Sequence, residues 1–170
     1  MYTINIPTEL NQSDFIKIFG GVYEHSPWIA EQVYNVGLKE SNNSAEGLHS
    51  AMKQIVEAAE TDKKLALLCS HPDLAGKIAI SGNLTTASKL EQSNADLGNC
   101  SSVEFDLFKN LNSAYMEKFS FPFILAVRGY QRTEILEIFK NRIDNNIEIE
   151  FNEALTQVHR IALLRLKEIE

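Results

Sequence analysis

Apolar residues recur at helical spacing along nearly the whole chain, and one short run breaks the pattern. Phe15, Ile18 and Phe19 form a stripe that stops at Gly20-Gly21, a helix-stop signal. From about Ser44 to Ala59, the residues Leu48, Met52, Ile55, Val56 and Ala59 share one face. Asp62 to Cys69 reads as a short helix that ends before Pro72. Phe105, Phe108, Leu111 and Tyr115 mark a helix within Val103 to Phe119; Ile135, Ile138 and Phe139 mark another; Ile147 to Ile169 is a long final one. Phe121 to Val127 reads instead as extended, because Pro122 bars a helix interior there. The pattern predicts an all-α fold: a single helical domain, 1–170, of about seven or eight helices with one short extended segment at 121–127.

A chain of 170 residues fits one domain and can bury a substantial core. Its apolar runs are too short to span a bilayer, and Met1 to Ile6 has no basic region or long apolar stretch of a signal peptide. The end, Lys167-Glu168-Ile169-Glu170, is not a Ser-Lys-Leu type address. A cytoplasmic protein with no membrane partner is expected. The net charge of -7 argues against a nucleic-acid partner, since phosphate binding wants a basic face. It leaves room for an anionic small molecule, because one buried arginine acts in a low local dielectric. Cys69 and Cys100 lie in no Cys-x-x-Cys pair and near no histidine cluster, so neither a zinc site nor a disulfide framework is expected. Cys69, after Leu67 and Leu68, is expected to be a small buried hydrophobe.

Four clusters carry the chemistry. His71-Pro72-Asp73-Leu74-Ala75-Gly76-Lys77 lies at a helix junction. Pro72 disfavours the α region for His71, so the imidazole sits where a helix has ended. This is either an ordinary turn with an exposed histidine or a proton-transfer group, since histidine titrates near neutrality. Ser88-Lys89-Leu90-Glu91-Gln92 has the spacing of a capping box. On a helix the same spacing puts Ser88, Glu91 and Gln92 on one face, where they could converge on a ligand. Lys118 to Gly129 encloses the extended run. It reads either as a buried connector or as a surface for main-chain recognition of a heterocycle, since its N–H and C=O groups need side chains, water or a ligand as partners.

The fourth cluster is the final helix. At about 100° per residue from Phe151, the positions Leu155, Val158, Ala162, Arg165 and Ile169 fall within about 40° of it, and Arg160 lies opposite. Arg165 thus sits inside an apolar stripe, which is costly without an anion. The anion is either a core carboxylate in a structural salt bridge or a substrate, because the guanidinium fork suits carboxylates and ureido carbonyls.

Together these segments resemble the family of decarboxylases that act on 2-oxo-4-hydroxy-4-carboxy-5-ureidoimidazoline (OHCU). The resemblance rests on Val22-Tyr23-Glu24-His25-Ser26-Pro27-Trp28, His71 to Lys77, Ser88-x-x-Glu91-Gln92, Lys118 to Gly129 with Phe121-Pro122-Phe123-Ile124, and Arg160 to Leu166, in the family's order. The chain departs from it at Ala95-Asp96-Leu97, where the family favours Ala-Gly-Leu. The resemblance implies a helical, usually dimeric enzyme with no metal or organic cofactor. It turns an anionic ureidoimidazoline of urate breakdown into (S)-allantoin. His71 matches the family's catalytic histidine and Glu91 the carboxylate paired with it. Pro72, Ser88 and Gln92 fall in substrate-contacting segments, as do Phe123, Ile124, Leu125, Ala126 and Val127, and Arg165 matches a binding arginine. A non-catalytic protein that binds a purine intermediate is one alternative. His-Pro-Asp after Lys64 to Leu68 also resembles the J-domain of co-chaperones, although few basic residues precede the motif and it lies deep in the chain.

Overall fold

The computed structural model describes residues 1–72 and 102–170, apart from the side chains of Ser102 and Phe105. Seven α-helices stand among the described residues: α1 (Gln12–Phe19), α2 (Trp28–Val36), α3 (Ala45–Glu57), α4 (Thr61–Ser70), α5 (Ser102–Phe119), α6 (Arg132–Ile143) and α7 (Ile147–Ile169). No strand occurs among them, and none of these helices is long and apolar enough to cross a membrane. Their contacts group the chain into two compact units, Met1–Ser70 with Val158–Glu170, and His71–Gln157. The residues of α7 are therefore divided between the two.

In the first unit, the side chain of Asn11 accepts from the Asp14 N–H at 3.0 Å and so starts α1. That helix buries Phe15 and Phe19. Ser44 starts α3 in the same way, accepting from the Gly47 N–H at 3.2 Å. Leu48, Met52 and Val56 are fully buried on its inward face, with Ile55 and Ala59 half-buried beside them. The sequence pattern passed over α2, which buries Ile29, Ala30 and Val33. Its markers were present: Pro27 just before the first residue, and Gly37 just after the last with φ of +102°.

Cys69 corrects an expectation. It is exposed, because α4 turns Leu67 and Leu68 inward and the next residue is carried round the helix away from them. His71 is buried at 7% exposure, which removes the exposed-turn reading of that histidine.

In the second unit an aromatic cluster forms around Tyr115 of α5. Its ring centroid lies 4.5 Å from that of Phe119, 5.5 Å from Phe123 and 5.6 Å from Phe139, and Phe123 stacks on Phe139 at 3.8 Å. Each buried phenylalanine contributes about 1.5–3 kcal/mol of transfer free energy. The Phe121–Val127 segment belongs to no helix or strand, and every residue assigned to the hydrophobic core along it is at most 6% exposed. Helix α6 opens with a capping box, the Gln131 N–H donating to Glu134 Oε2 at 2.6 Å.

One glycine is required by close approach. A Cβ on Gly47 would lie 1.7 Å from the Ser41 carbonyl oxygen. Helix propensity alone favours alanine there by up to about 1 kcal/mol. Overpacking against a backbone oxygen reverses the sign: Gly47→Ala is expected to destabilise the protein by about 1–3 kcal/mol. Urea unfolding checks this, and a variant as stable as the parent would show that the Ser41 turn moves aside freely.

Candidate active site

The final helix brings Arg165 into the interior of the first unit, where it is 5% exposed, while Arg160 is exposed. The helical-wheel reading of these two arginines holds. Arg165 meets a carboxylate: its Nη2 lies 2.7 Å from Glu24 Oε2, and its Nη1 donates to the Val22 carbonyl at 3.3 Å. Glu24 is only 1% exposed. A local feature delivers it there. His25 adopts φ of +49°, so the chain folds back after Glu24, and the Ser26 N–H reaches the Tyr23 carbonyl at 3.1 Å. Tyr23 and Glu24 point inward while the His25 side chain stays exposed. The hydroxyl of Ser70, the last residue of α4, donates to the Glu24 carbonyl at 2.8 Å.

His159 lies on the same stretch of α7 and is 4% exposed. Its Nε2 stands 3.2 Å from Glu57 Oε1 and its Nδ1 2.8 Å from the Tyr23 hydroxyl. Burial pushes its pKa down to about 4, against the opposing pull of Glu57, so the ring is neutral near pH 7. A carboxylate only accepts, so the single ring proton sits on Nε2 and Nδ1 accepts from Tyr23. Burial also raises the Tyr23 pKa, with Glu57 adding to the effect. His49 Nε2 donates to the His159 carbonyl at 2.9 Å.

In the second unit the Phe121–Val127 segment has its main chain held by side chains. Arg142 Nη1 donates to the Ile124 carbonyl at 2.7 Å, and the Ala126 N–H donates to Gln157 Oε1 at 3.1 Å. The Arg142 guanidinium also lies 4.6 Å from the Phe123 ring centre. Its charge is met by Glu150, which is fully buried and also accepts from the Tyr115 hydroxyl and from Asn145 Nδ2. Burial raises the Tyr115 pKa, and the bond to Glu150 raises it further. Sequence reasoning missed Arg142, Glu150 and Gln157. The signal was available for Arg142, which follows Ile135 and Phe139 on the inward stripe of α6 just as Arg165 follows its apolar neighbours.

The expected site residues thus fall as follows. Arg165 is in the first unit, and His71, Pro72 and Phe123 to Val127 are in the second. Ser88, Glu91 and Gln92, with the Asp73 to Lys77 part of the histidine cluster, lie outside the described residues. Comparison with known proteins adds the decisive observation: a family model described as OHCU decarboxylase matches residues 8–167. The chain belongs to the OHCU decarboxylase family. It is 39% identical over 166 residues to the 2-oxo-4-hydroxy-4-carboxy-5-ureidoimidazoline decarboxylase of Haloferax volcanii, covering 98% of this chain and 95% of that protein. A uric acid degradation bifunctional protein of a Bacillus species is 38% identical across 95% of this chain, which spans 31% of it. The crystal structure of an (S)-allantoin synthase superposes with a TM-score of 0.76 at 34% identity, over 95% of this chain and 52% of that one. Membership of the OHCU decarboxylase family accounts for His-Pro-Asp as part of a match along almost the whole chain, so the co-chaperone reading loses its basis.

The neutral His159 gives this family member a pH signature. In the unfolded chain its imidazole takes a proton near pH 6.5, in the folded one only near pH 4. Between those values the unfolded state binds more protons, so stability is full above about pH 6.5 and falls as the pH drops. His49, whose pKa burial also lowers, acts in the same direction. Urea midpoints measured from pH 7 to pH 5 should therefore fall, and the fall should be shallower in His159→Gln. Equal slopes in the two proteins would assign the dependence to other groups.

Proposed function

We propose that this chain catalyses the decarboxylation of OHCU to (S)-allantoin, as a single catalytic domain spanning 1–170. The observation that carries the reading is the continuous family match over residues 8–167, which takes in His71, Glu91 and Arg165 together. The substrate needs little help with electrons. Its carboxylate sits one carbon from a ring C=N, so the bonding pair released with CO2 forms a C=C bond within the ring. The former C=N pair then moves onto nitrogen, which takes up a proton. Protonation of the ureido-bearing carbon, with collapse of the neighbouring hydroxyl to a carbonyl, sets the stereocentre. What remains for the protein is to orient the carboxylate, stabilise the developing charge and deliver a proton to one face.

In this reading His71 handles the proton and Glu91 orients and tunes it. Pro72, Ser88 and Gln92 contact the substrate, the main chain of Phe123 to Val127 recognises the heterocycle, and Arg165 anchors the anion. Two facts support these roles. His71 is buried, which suits a proton carrier shielded from bulk water. The Phe123–Val127 backbone is braced by Arg142 and Gln157, which gives a main-chain binding surface the rigidity it needs. The enzyme is read as a cytoplasmic homodimer, for which light scattering should give twice the 19.2 kDa chain mass.

The test generates the substrate from urate in situ and follows the circular dichroism of allantoin. The protein should accelerate formation of one enantiomer over the racemate of spontaneous decay; racemic product at the uncatalysed rate overturns the reading. In the same assay His71→Asn should lose about 10²-fold or more in rate. Arg165→Lys should lose at least about tenfold in kcat/KM, because an ammonium cannot reproduce the two-pronged contact. Arg160→Ala should be close to silent.

A further inference from the structure

The Val22–Trp28 stretch carries part of the family resemblance, yet none of its residues has a role in the reaction described so far. We propose that Glu24 is a positioning residue for this reaction, holding the Arg165 guanidinium in the orientation that grips the substrate anion. The proposal rests on the reading of Arg165 as the anchor and extends it to the residue behind it.

The geometry argues for it at three levels. First, Arg165 is held at two different nitrogens by two residues of one turn. Nη2 meets Glu24 Oε2 at 2.7 Å and Nη1 donates to the Val22 carbonyl at 3.3 Å. A guanidinium is a planar fork, so contacts at two nitrogens fix the rotation of its plane as well as its place. Second, Glu24 is itself fixed. Its carbonyl lies 2.8 Å from Ser70 Oγ, whose single proton is shared with the Leu67 carbonyl at 2.7 Å, and its side chain is 1% exposed. The strained φ of His25 is retained in the turn that sends this carboxylate inward. Third, a buried ion pair is poor evidence for stability. Apolar residues of similar size often replace one at no cost, so stability alone does not account for this pair and a further role is open to it. A carboxylate on one side of the fork supplies that role: it selects which edge of the guanidinium a second anion can meet. Glu24 does not touch the substrate in this account; it acts through Arg165.

Steady-state kinetics on purified full-length variants test it, with substrate generated from urate. Glu24→Gln keeps the size and an acceptor oxygen but removes the charge. Its KM should rise about tenfold with kcat within about twofold, the signature of lost ground-state binding. Glu24→Asp, which keeps the charge, should recover part of that rise. In Glu24→Gln/Arg165→Lys the KM should match that of Arg165→Lys alone, because the glutamate has nothing left to position. Thermal melting is recorded for each variant. A folded Glu24→Gln protein with parental KM overturns the proposal, as does a fall in kcat and melting temperature at constant KM. If Glu24→Gln does not fold, Glu24→Asp decides the matter: a raised KM with kcat retained supports positioning, and a parental KM overturns it. Arg165→Lys separates this failure from that of the underlying reading. Parental KM in Arg165→Lys removes the anchor itself, whereas a raised KM there with parental KM in Glu24→Gln removes only the role of Glu24.

Discussion

A charge or polar group taken out of water inside a helical interior must be met by an opposite charge or by hydrogen bonds, and helix α7 imposes that requirement in each of the two units. Glu150, Gln157, His159 and Arg165 all point away from solvent. Leaving a buried ion such as Glu150 or Arg165 without a partner costs several kcal/mol, a large fraction of the stability of a small protein. The neutral Gln157 and His159 need hydrogen bonds for the same reason on a smaller scale. Each of these groups therefore dictates what another part of the chain supplies. Glu150 requires Arg142, Tyr115 and Asn145; His159 requires Tyr23 and Glu57; Arg165 requires Glu24 and the Val22 carbonyl. Apolar packing sets which faces of the helices turn inward, and these polar pairings set which residues meet there.

The Phe121–Val127 segment shows the same rule applied to main chain. Among the described residues no strand lies alongside it, so two of its backbone groups are met by the side chains of Arg142 and Gln157. Arg142 does three things at once: it binds the Ile124 carbonyl, it balances Glu150, and it covers the face of Phe123. The segment is consequently held by one charge-assisted bond from Arg142 and one neutral bond to Gln157, with no strand beside it among the described residues. A main chain held this way can present unpaired groups to a heterocycle without collapsing into regular structure.

These features suit a decarboxylation in which the substrate is its own electron sink. Such a reaction asks for fixed geometry and control of a single proton more than for a reactive group. In the proposed assignment, Arg165 paired with Glu24 and a braced backbone would answer the demand for geometry. In the same assignment His71, buried just past the end of α4, would answer the demand for a proton. A neutral His159 beside Tyr23 keeps a second imidazole in the first unit from taking up a proton at neutral pH, because its burial outweighs the attraction of Glu57.

The sequence by itself determined the class of fold and the direction of the key arginine. Helical spacing of apolar residues and the barrier raised by Pro122 are local properties, and a wheel drawn on 147–169 depends only on the helical period. They placed α1, α3 to α7, the non-helical run at 121–127 and the inward turn of Arg165. Motif order along the chain determined the family. Helix α2 escaped because its punctuation by Pro27 and Gly37 was present without a long apolar stripe, and Cys69 was misplaced because two buried neighbours on a helix do not bury the next residue. Only the tertiary structure decided partners. Glu24 lies 141 positions from Arg165 and Tyr23 136 from His159, and no local rule pairs residues that far apart. Those choices belong to packing, since the energy of a buried charge depends on what surrounds it in space and not on what precedes it in the chain.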